Sequence, residues 1–492
     1  MESKRATQER RGCRGSQVPV TRRAEKAIAI AATLCALAGC ASLARNDLPP
    51  PAVAALFPAQ ELPQGADTSR IAWHEYFVDA SLRSLIARAL DENRDLRIAV
   101  HRVAQARAVL AAQRAERFPV VGLSAGVDRS RVPGDLNLTG RPVTGSQFSV
   151  GIGVASWELD MWGRLRDLQD AALEIFLATE AGRRAVVVNL VSEVANGYLQ
   201  LCETDERLAL AHQFTDSRAQ SLRIFVRRME EGATSRLNVA QVETLLMQAR
   251  ALAAQLEQSR QAQAHALTLL VGAPVNLAPV AALRTQEELV GDANPGLPSD
   301  LLAARPDIVA AEHQLRAENA NVGAARAAFF PRVVLTASAG TASAELEGLF
   351  APGSGAWVFS PAVSLPLFDG GRRRAGLALA QARRQQAIDN YEKTVQGAFR
   401  DVADALSARR WSAEQAAIAQ GALAVQTERA RLAQLRYDNG AAAYLEVLDA
   451  QRDLLTAGQQ LVQARRLALS SRVAVYAALG GGSLAASPSV SP

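Results

Sequence analysis

Leu159-Asp160-Met161-Trp162-Gly163-Arg164 and Phe368-Asp369-Gly370-Gly371-Arg372 are two versions of one phrase, with their Gly-Arg pairs 208 residues apart. Further landmarks keep that offset: Gly232 and Gly440, Leu237 and Leu445, Gly272 and Gly480. Upstream, Asp95 answers Asp307 and Pro119 answers Pro331 at an offset of 212, a change that fits unequal loops between paired strands. Solenoid repeats have units of about 20–50 residues, so a period this long marks a duplicated half-domain. Each half reads strand, strand, long helix.

The strands precede each phrase. Val121, Leu123, Ala125 and Val127 alternate with Gly122, Ser124, Gly126 and Asp128, and Phe148, Val150, Ile152 and Val154 alternate with Ser149, Gly151 and Gly153. In the second half, Val333, Leu335, Ala337 and Ala339 alternate with Val334, Thr336, Ser338 and Gly340. Trp357, Phe359, Val363 and Leu365 alternate with Val358, Ser360, Ala362 and Ser364, with Pro361 weakening that run. One greasy face and one small or polar face over about 10 residues is the signature of a transmembrane β-strand. Segments 129–145 and 343–354 carry Gly, Pro and Asn and read as surface loops. Four strands cannot close a membrane barrel, which starts at about eight, and an open sheet edge cannot face lipid. Three copies supply twelve strands, enough to enclose a watery bore.

Downstream of each phrase, proline disappears: none occurs between Pro142 and Pro274, nor between Pro366 and Pro488. Proline breaks helix interiors, so both gaps admit long helices. Val187, Val191, Val194, Tyr198, Leu201 and Leu208 form a heptad seam, repeated as Val395, Phe399, Val402 and Leu406. A helix from Trp162 to Glu231 spans about 105 Å at about 1.5 Å per residue. Gly232 and Gly440 are placed to stop the rods, and second helices follow over about 235–271 and 444–479. Helical periodicity also runs from near Leu82 to Arg117.

The net charge of +5 resides in the first 39 residues, where eight Lys/Arg face three acids, and the remainder is balanced. No charge excess is left for phosphates, so no nucleic-acid partner is expected. Arg22-Arg23 and Lys26 form a positive n-region, and Ala27 to Leu37 an apolar h-region too short to span a bilayer. Leu37-Ala38-Gly39-Cys40 resembles a bacterial lipobox, with Cys40 as the lipid-attachment residue. Cys13 and Cys35 leave with the leader. Cys202 then remains alone, so no intrachain disulfide forms, and it reads as an apolar packing residue. Residues 41–70 are Pro- and Ala-rich and read as an extended tether.

Catalytic patterns are weak. Gly122-Leu123-Ser124-Ala125-Gly126 matches a nucleophile elbow, but the motif needs a strand-to-helix turn, and here alternation runs straight through. Thr336 stands in the place of Ser124 in the second half. His74, His101, His212, His265 and His313 are scattered without metal-ligand spacing. Gly370-Gly371 and Gly480-Gly481-Gly482 read as turn and cap glycines. No enzyme and no cofactor is expected. Acids cluster where the rods turn: Glu230 and Glu231 before Gly232, Asp438 before Gly440, and Glu446 and Asp449 on one face of the helix that follows. Tripled around an axis, such carboxylates bias a pore toward cations.

Trp73 with Phe77-Val78-Asp79-Ala80-Ser81-Leu82 resembles the opening of the lipoprotein branch of TolC-type outer membrane efflux proteins, the NodT/OprM-like group. So do Ser156 to Arg164, Ala304-Arg305-Pro306-Asp307-Ile308, Ala324 to Pro331, Leu367 to Arg372 and Leu445 to Arg452, in the family's order from about 71 to 480. The resemblance implies an α+β membrane protein with an internal twofold repeat. It implies a homotrimeric 12-stranded outer membrane β-barrel, continued by a long periplasmic α-helical barrel. It further implies a periplasmic adaptor (membrane fusion) protein and an inner membrane pump, usually RND, as partners, with drugs or small solutes passing unchanged. Lipid partners are the outer membrane and the N-acyl and S-diacylglycerol chains on Cys40. The family's periplasmic aperture matches Tyr437 to Asp449, with Glu446 and Asp449 on its acidic ring and Tyr437 and Asp438 beside it. In TolC an Arg two residues beyond the aperture Gly pairs with an Asp of the first repeat. Here Ala442 and Asn238 stand at those places, so closure is expected to rest on packing and other hydrogen bonds.

The expected organisation is a signal peptide over 1–39, a lipid-anchored tether over 40–81, a first repeat over 82–280 and a second over 298–480. A disordered tail is expected over 481–492. The strands are expected at about 118–128, 147–158, 331–341 and 356–367, and the rods at about 162–231 and 370–438. Two other readings compete: a lipid-anchored coiled-coil spacer, which needs no amphipathic strands, and a hydrolase using Ser124.

Overall fold

The computed structural model describes residues 70–276, 290–291 and 298–483. The leader, Cys40 and most of the tether lie outside the described residues, as does 484–492. Three helices come first: α1 (Trp73–Tyr76), α2 (Ala80–Glu92) and α3 (Arg94–Ala115). Strands β1 (Val121–Val132) and β2 (Val143–Leu159) lead into α4 (Arg164–Glu230) and α5 (Arg236–Val271). The second half repeats this with α6 (Pro298–Ala304), α7 (Pro306–Ala327), β3 (Arg332–Ser343), β4 (Gly355–Ser364), α8 (Arg372–Asp438) and α9 (Tyr444–Ala478). Both rods contain 67 residues, about 100 Å of helix.

The four strands form one antiparallel sheet in the order β1-β2-β3-β4. Register pairs Leu123 with Ile152, Ile152 with Ala339 and Ala339 with Trp357, so the apolar residues of all four strands share one face. None of the described residues covers that face at its edges: Leu123 and Trp357 are each 77% exposed. An apolar face this bare needs lipid. Pro361 lies in β4, an edge strand of the protomer's sheet, where a missing N–H is tolerated.

One irregularity escapes simple alternation. Between Val154 and Trp157 the register slips by one residue against Ala337 and Leu335. Ser156 there has φ of 60°, the single non-glycine residue with positive φ among those described. This β-bulge returns Trp157 and Leu159 to the apolar face after the phase would have reversed. The strands also differ from expectation in extent. β1 runs on through Arg131 and Val132 and β2 starts at Val143, because the hairpin continues to pair beyond the apolar band.

The rods begin and end by the same chemistry in both halves. The Asp160 carboxylate accepts from the backbone N–H of Leu165 (3.1 Å) and Arg166 (2.8 Å), and Asp369 accepts from Gly371 (3.1 Å) and Arg373 (3.2 Å). Gly163 (φ 77°) and Gly371 (φ 91°) supply the left-handed residue that lets the chain turn into the helix. At the far ends, Ala233 N donates to Arg228 O (2.7 Å) and Ala441 N to Arg436 O (2.8 Å), around Gly232 and Gly440 in the left-handed region. That is a Schellman ending in each copy.

The main core lies among α2, α4, α5, α7, α8 and α9. Val191, Val194, Tyr198 and Leu201 of α4 pack in one cluster with Val395 and Val402 of α8 and with Leu469 and Tyr476 of α9. Cys202 is buried in it, and burial pushes its thiol up to about 12. Three expectations need correction. The helix from Leu82 breaks at Asn93, whose side chain leaves α2 to accept from Leu96 N and so starts α3. The tether does not extend to residue 81: Tyr76 and Phe77 are buried, Tyr76 stacks on Tyr476 at 4.3 Å, and Phe77 pairs with Val290. Nor is the tail disordered from its first residue. Gly481 N donates to Tyr476 O at 2.9 Å, closing α9, and the Ser483 hydroxyl donates to Ala304 O.

Candidate functional site: bore and aperture

The face opposite the lipid band carries Gly122, Ser124, Gly126, Ser149, Gly151, Gly153, Thr336, Ser338 and Gly340. Small side chains let this face bend inward. A Cβ on Gly153 would lie 2.7 Å from the Ala337 carbonyl oxygen, and one on Gly151 would lie 2.9 Å from that of Ala339. The glycines thus permit close approach of neighbouring strands, and the side that closure into a barrel makes concave is polar, as a bore requires. Ser124 sits mid-strand in β1, its hydroxyl 3.4 Å from Gly151 O, with no strand-to-helix turn beside it.

The helical tips lie at the opposite ends of the rods, where α4 meets α5 and α8 meets α9. Tyr437 and Asp438 end α8, and Glu446 and Asp449 stand in the first two turns of α9. The carboxylates are exposed but paired. Glu446 holds Arg436 at 2.8 Å, Asp449 holds Arg452 at 3.4 Å, and Asp438 accepts from Gln434 at 2.9 Å. Arg429 reaches Asp453 at 2.7 Å, with Arg452 a further 3.3 Å neighbour of that carboxylate, and these partners hold Asp453 below the usual carboxylate range. The acids therefore alternate with cations, a pairing that the positions of the acids alone do not reveal. The available signal was the spacing of Arg436 and Glu446 on either side of the Gly440 turn.

Tyr437 makes one of the contacts that join the two halves at the tips. Arg228 of α4 donates to its hydroxyl and lies 5.9 Å from its ring centroid. Beside it, the hydroxyls of Tyr444 and Ser221 are 2.9 Å apart, and the Tyr444 ring lies 4.4 Å from Phe225 and 4.9 Å from Tyr437. Phe225, Val242 and Leu448 are buried beneath. Ser235 caps α5 by accepting from the Asn238 backbone N–H at 3.3 Å, and the Asn238 amide donates to the Thr234 hydroxyl at 3.0 Å, so the tip is fastened by an aromatic cluster and an Arg–Tyr pair.

A sheet with two unpaired edges, a lipid-ready convex face and a polar concave face is one sector of a transmembrane barrel. Long amphipathic rods extend that sector into a helical wall. The class defined is a trimeric membrane duct built from barrel and helices. Comparison with known proteins is specific on this point. The family model described as outer membrane efflux protein matches residues 85–273 and 297–481. Among curated relatives, the solvent efflux pump outer membrane protein SrpC of Pseudomonas putida is 45% identical over 413 residues, 83% of this chain and 87% of the relative. The outer membrane protein OprJ of Pseudomonas aeruginosa is 41% identical over 420 residues, covering 85% and 88%. Among solved structures, the open state of the Neisseria gonorrhoeae MtrE outer membrane channel superposes with a TM-score of 0.82 at 34% identity, over 90% of this chain and 98% of that one. The chain belongs to the outer membrane efflux protein family, and it is an outer membrane channel component of an efflux system.

Proposed function

We propose that this chain is the passive exit duct of a tripartite pump, a homotrimer that receives drugs or other small solutes from a periplasmic adaptor and an inner membrane pump of RND type. The observation that carries the reading is the four-stranded sheet whose edges are unpaired and whose apolar face is bare in the protomer. Purified trimers are expected to conduct ions in planar bilayers, and a deletion strain to become sensitive to toxic apolar compounds. Trimers that never conduct would sink the reading.

The aperture in this proposal is the ring of tips around Tyr437, Asp438, Glu446 and Asp449, held shut by Arg228–Tyr437 instead of the salt bridge that Ala442 and Asn238 preclude. Arg228→Ala is then expected to raise conductance and large-solute leak, while an unchanged current would place the gate elsewhere. Cys40 carries N-acyl and S-diacylglycerol chains that anchor the mature N-terminus. Two or more chains hold a protein to a bilayer where one is marginal. Cys40→Ser is expected to abolish incorporation of radiolabelled palmitate, and label that persists would refute the anchor.

A further inference from the structure

The concave face of the sheet bears three charged residues per protomer among those described: Asp128 toward the loop end, and Glu158 and Arg332 at the helix end. At the helix end Glu158 is shared between two guanidiniums, while Asp160 and Glu116 act on Arg164 as well. Nε and Nη2 of Arg164, the first residue of α4, each donate to Glu158 at 2.9 Å, and Arg332 Nε donates to the same carboxylate at 2.5 Å. One carboxylate thus serves two guanidiniums. Arg332 is left 56% exposed, whereas Glu158 retains 10% exposure. Arg332 belongs to β3, an interior strand of the sheet, so its concave side stays open to water when edges pair. The repeat adds a further cation beside the Arg373–Asp369 pair. Arg372 is the counterpart of Arg164, but Leu367-Phe368 stands where the first half has Glu158-Leu159, and Arg372 has no ion-pair partner among the described residues. Guanidiniums match phosphate and carboxylate oxygens in a fixed fork, and rings of Arg favour anions in pores.

We propose that the neck where barrel meets helical wall is a ring of three Arg332 guanidiniums, each held by a Glu158 that Arg164 also binds, that binds small anionic solutes of the phosphate or carboxylate class. It gives the duct a cationic station midway along the bore. The inference rests on the duct reading, and its test separates the two.

Inorganic tripolyphosphate added on the barrel side reaches the neck without crossing the aperture. It is expected to block current through wild-type trimers and to raise their thermal dissociation temperature, the second effect needing no conductance. Arg332→Gln should weaken both by about tenfold in concentration, as expected for loss of charge-assisted contacts, while Arg332→Lys, which keeps the charge without the fork, falls between the two. Equal block in wild type and Arg332→Gln, or block lost instead on Arg436→Gln at the aperture, overturns the assignment. Trimers that bind tripolyphosphate through Arg332 yet never conduct would overturn the duct reading and leave the anion site standing.

Discussion

Asp167 sits in the first turn of α4, buried beside Asp160 and Asp170. Burial first, and the Asp170 carboxylate second, push its pKa up to about 6. The sign of the pH effect follows from linkage. Between about pH 4 and 6 the folded protein holds a proton the unfolded chain has released, so stability falls as pH rises through this window and stays lower above it. Asp167→Asn removes the penalty, and the trimer should gain about 1–2 kcal/mol at pH 8, discounted for partial solvation, with little gain at pH 4. Heat dissociation at the two pH values measures it; an equal effect at both would dismiss the titration. Gly440 makes a second case. Its φ of 71° is expensive for an L-residue, so Gly440→Ala should cost about 1–2 kcal/mol and fray the tip, seen as faster amide exchange around Tyr437. Gly440 was legible as a stop because glycine in that role is a local signal. Arg228 was not, since its partner lies 209 residues away and only the folded rods bring them together.

Elements were legible where one physical pattern dominated. The heptad step of Val191, Val194, Tyr198 and Leu201 marks the buried stripe of α4, and all four are indeed in the core. Leu199, off that seam, is also fully buried, because α4 is surrounded by other helices on more than one side. Leu199→Ala should therefore cost about 2–5 kcal/mol and lower the midpoint of urea unfolding. A cost below about 1 kcal/mol would mean the site collapses freely. The strands were legible through period two, but the bulge at Ser156 was not. Inserting one residue changes the phase of everything downstream, and no side chain announces it. Phe77 escaped for a related reason, since a buried aromatic in an irregular segment has no periodicity to reveal it. In the tip acids, composition showed the charge but not the pairing of Glu446 with Arg436.

For the whole molecule, what the protomer leaves uncovered defines what it joins. Trp411, Ile418, Val425 and Leu432 recur every seven residues along α8 and are 52%, 65%, 67% and 44% exposed. This is a second heptad stripe, distinct from the seam that Val395 and Val402 bury. A strict seven-residue repeat drifts around a straight helix by about 20° per heptad and stays on one side only if the helices wind left-handed. The stripe is therefore suited to the wall of a twisted helical barrel, with an adjacent copy as its cover. The sheet makes the same demand at the other end, where β1 and β4 close only against β4 and β1 of neighbours. Ile418→Glu with Val425→Glu should thus leave the protomer's own core intact, since neither side chain is buried within it. Six carboxylates at three interfaces would nevertheless be desolvated without partners, a cost of several kcal/mol. The expected result is a helical, detergent-soluble monomer in place of the trimer by light scattering, with no conductance. A trimer of normal stability would show that these helices face water and that barrel closure relies on the strands alone.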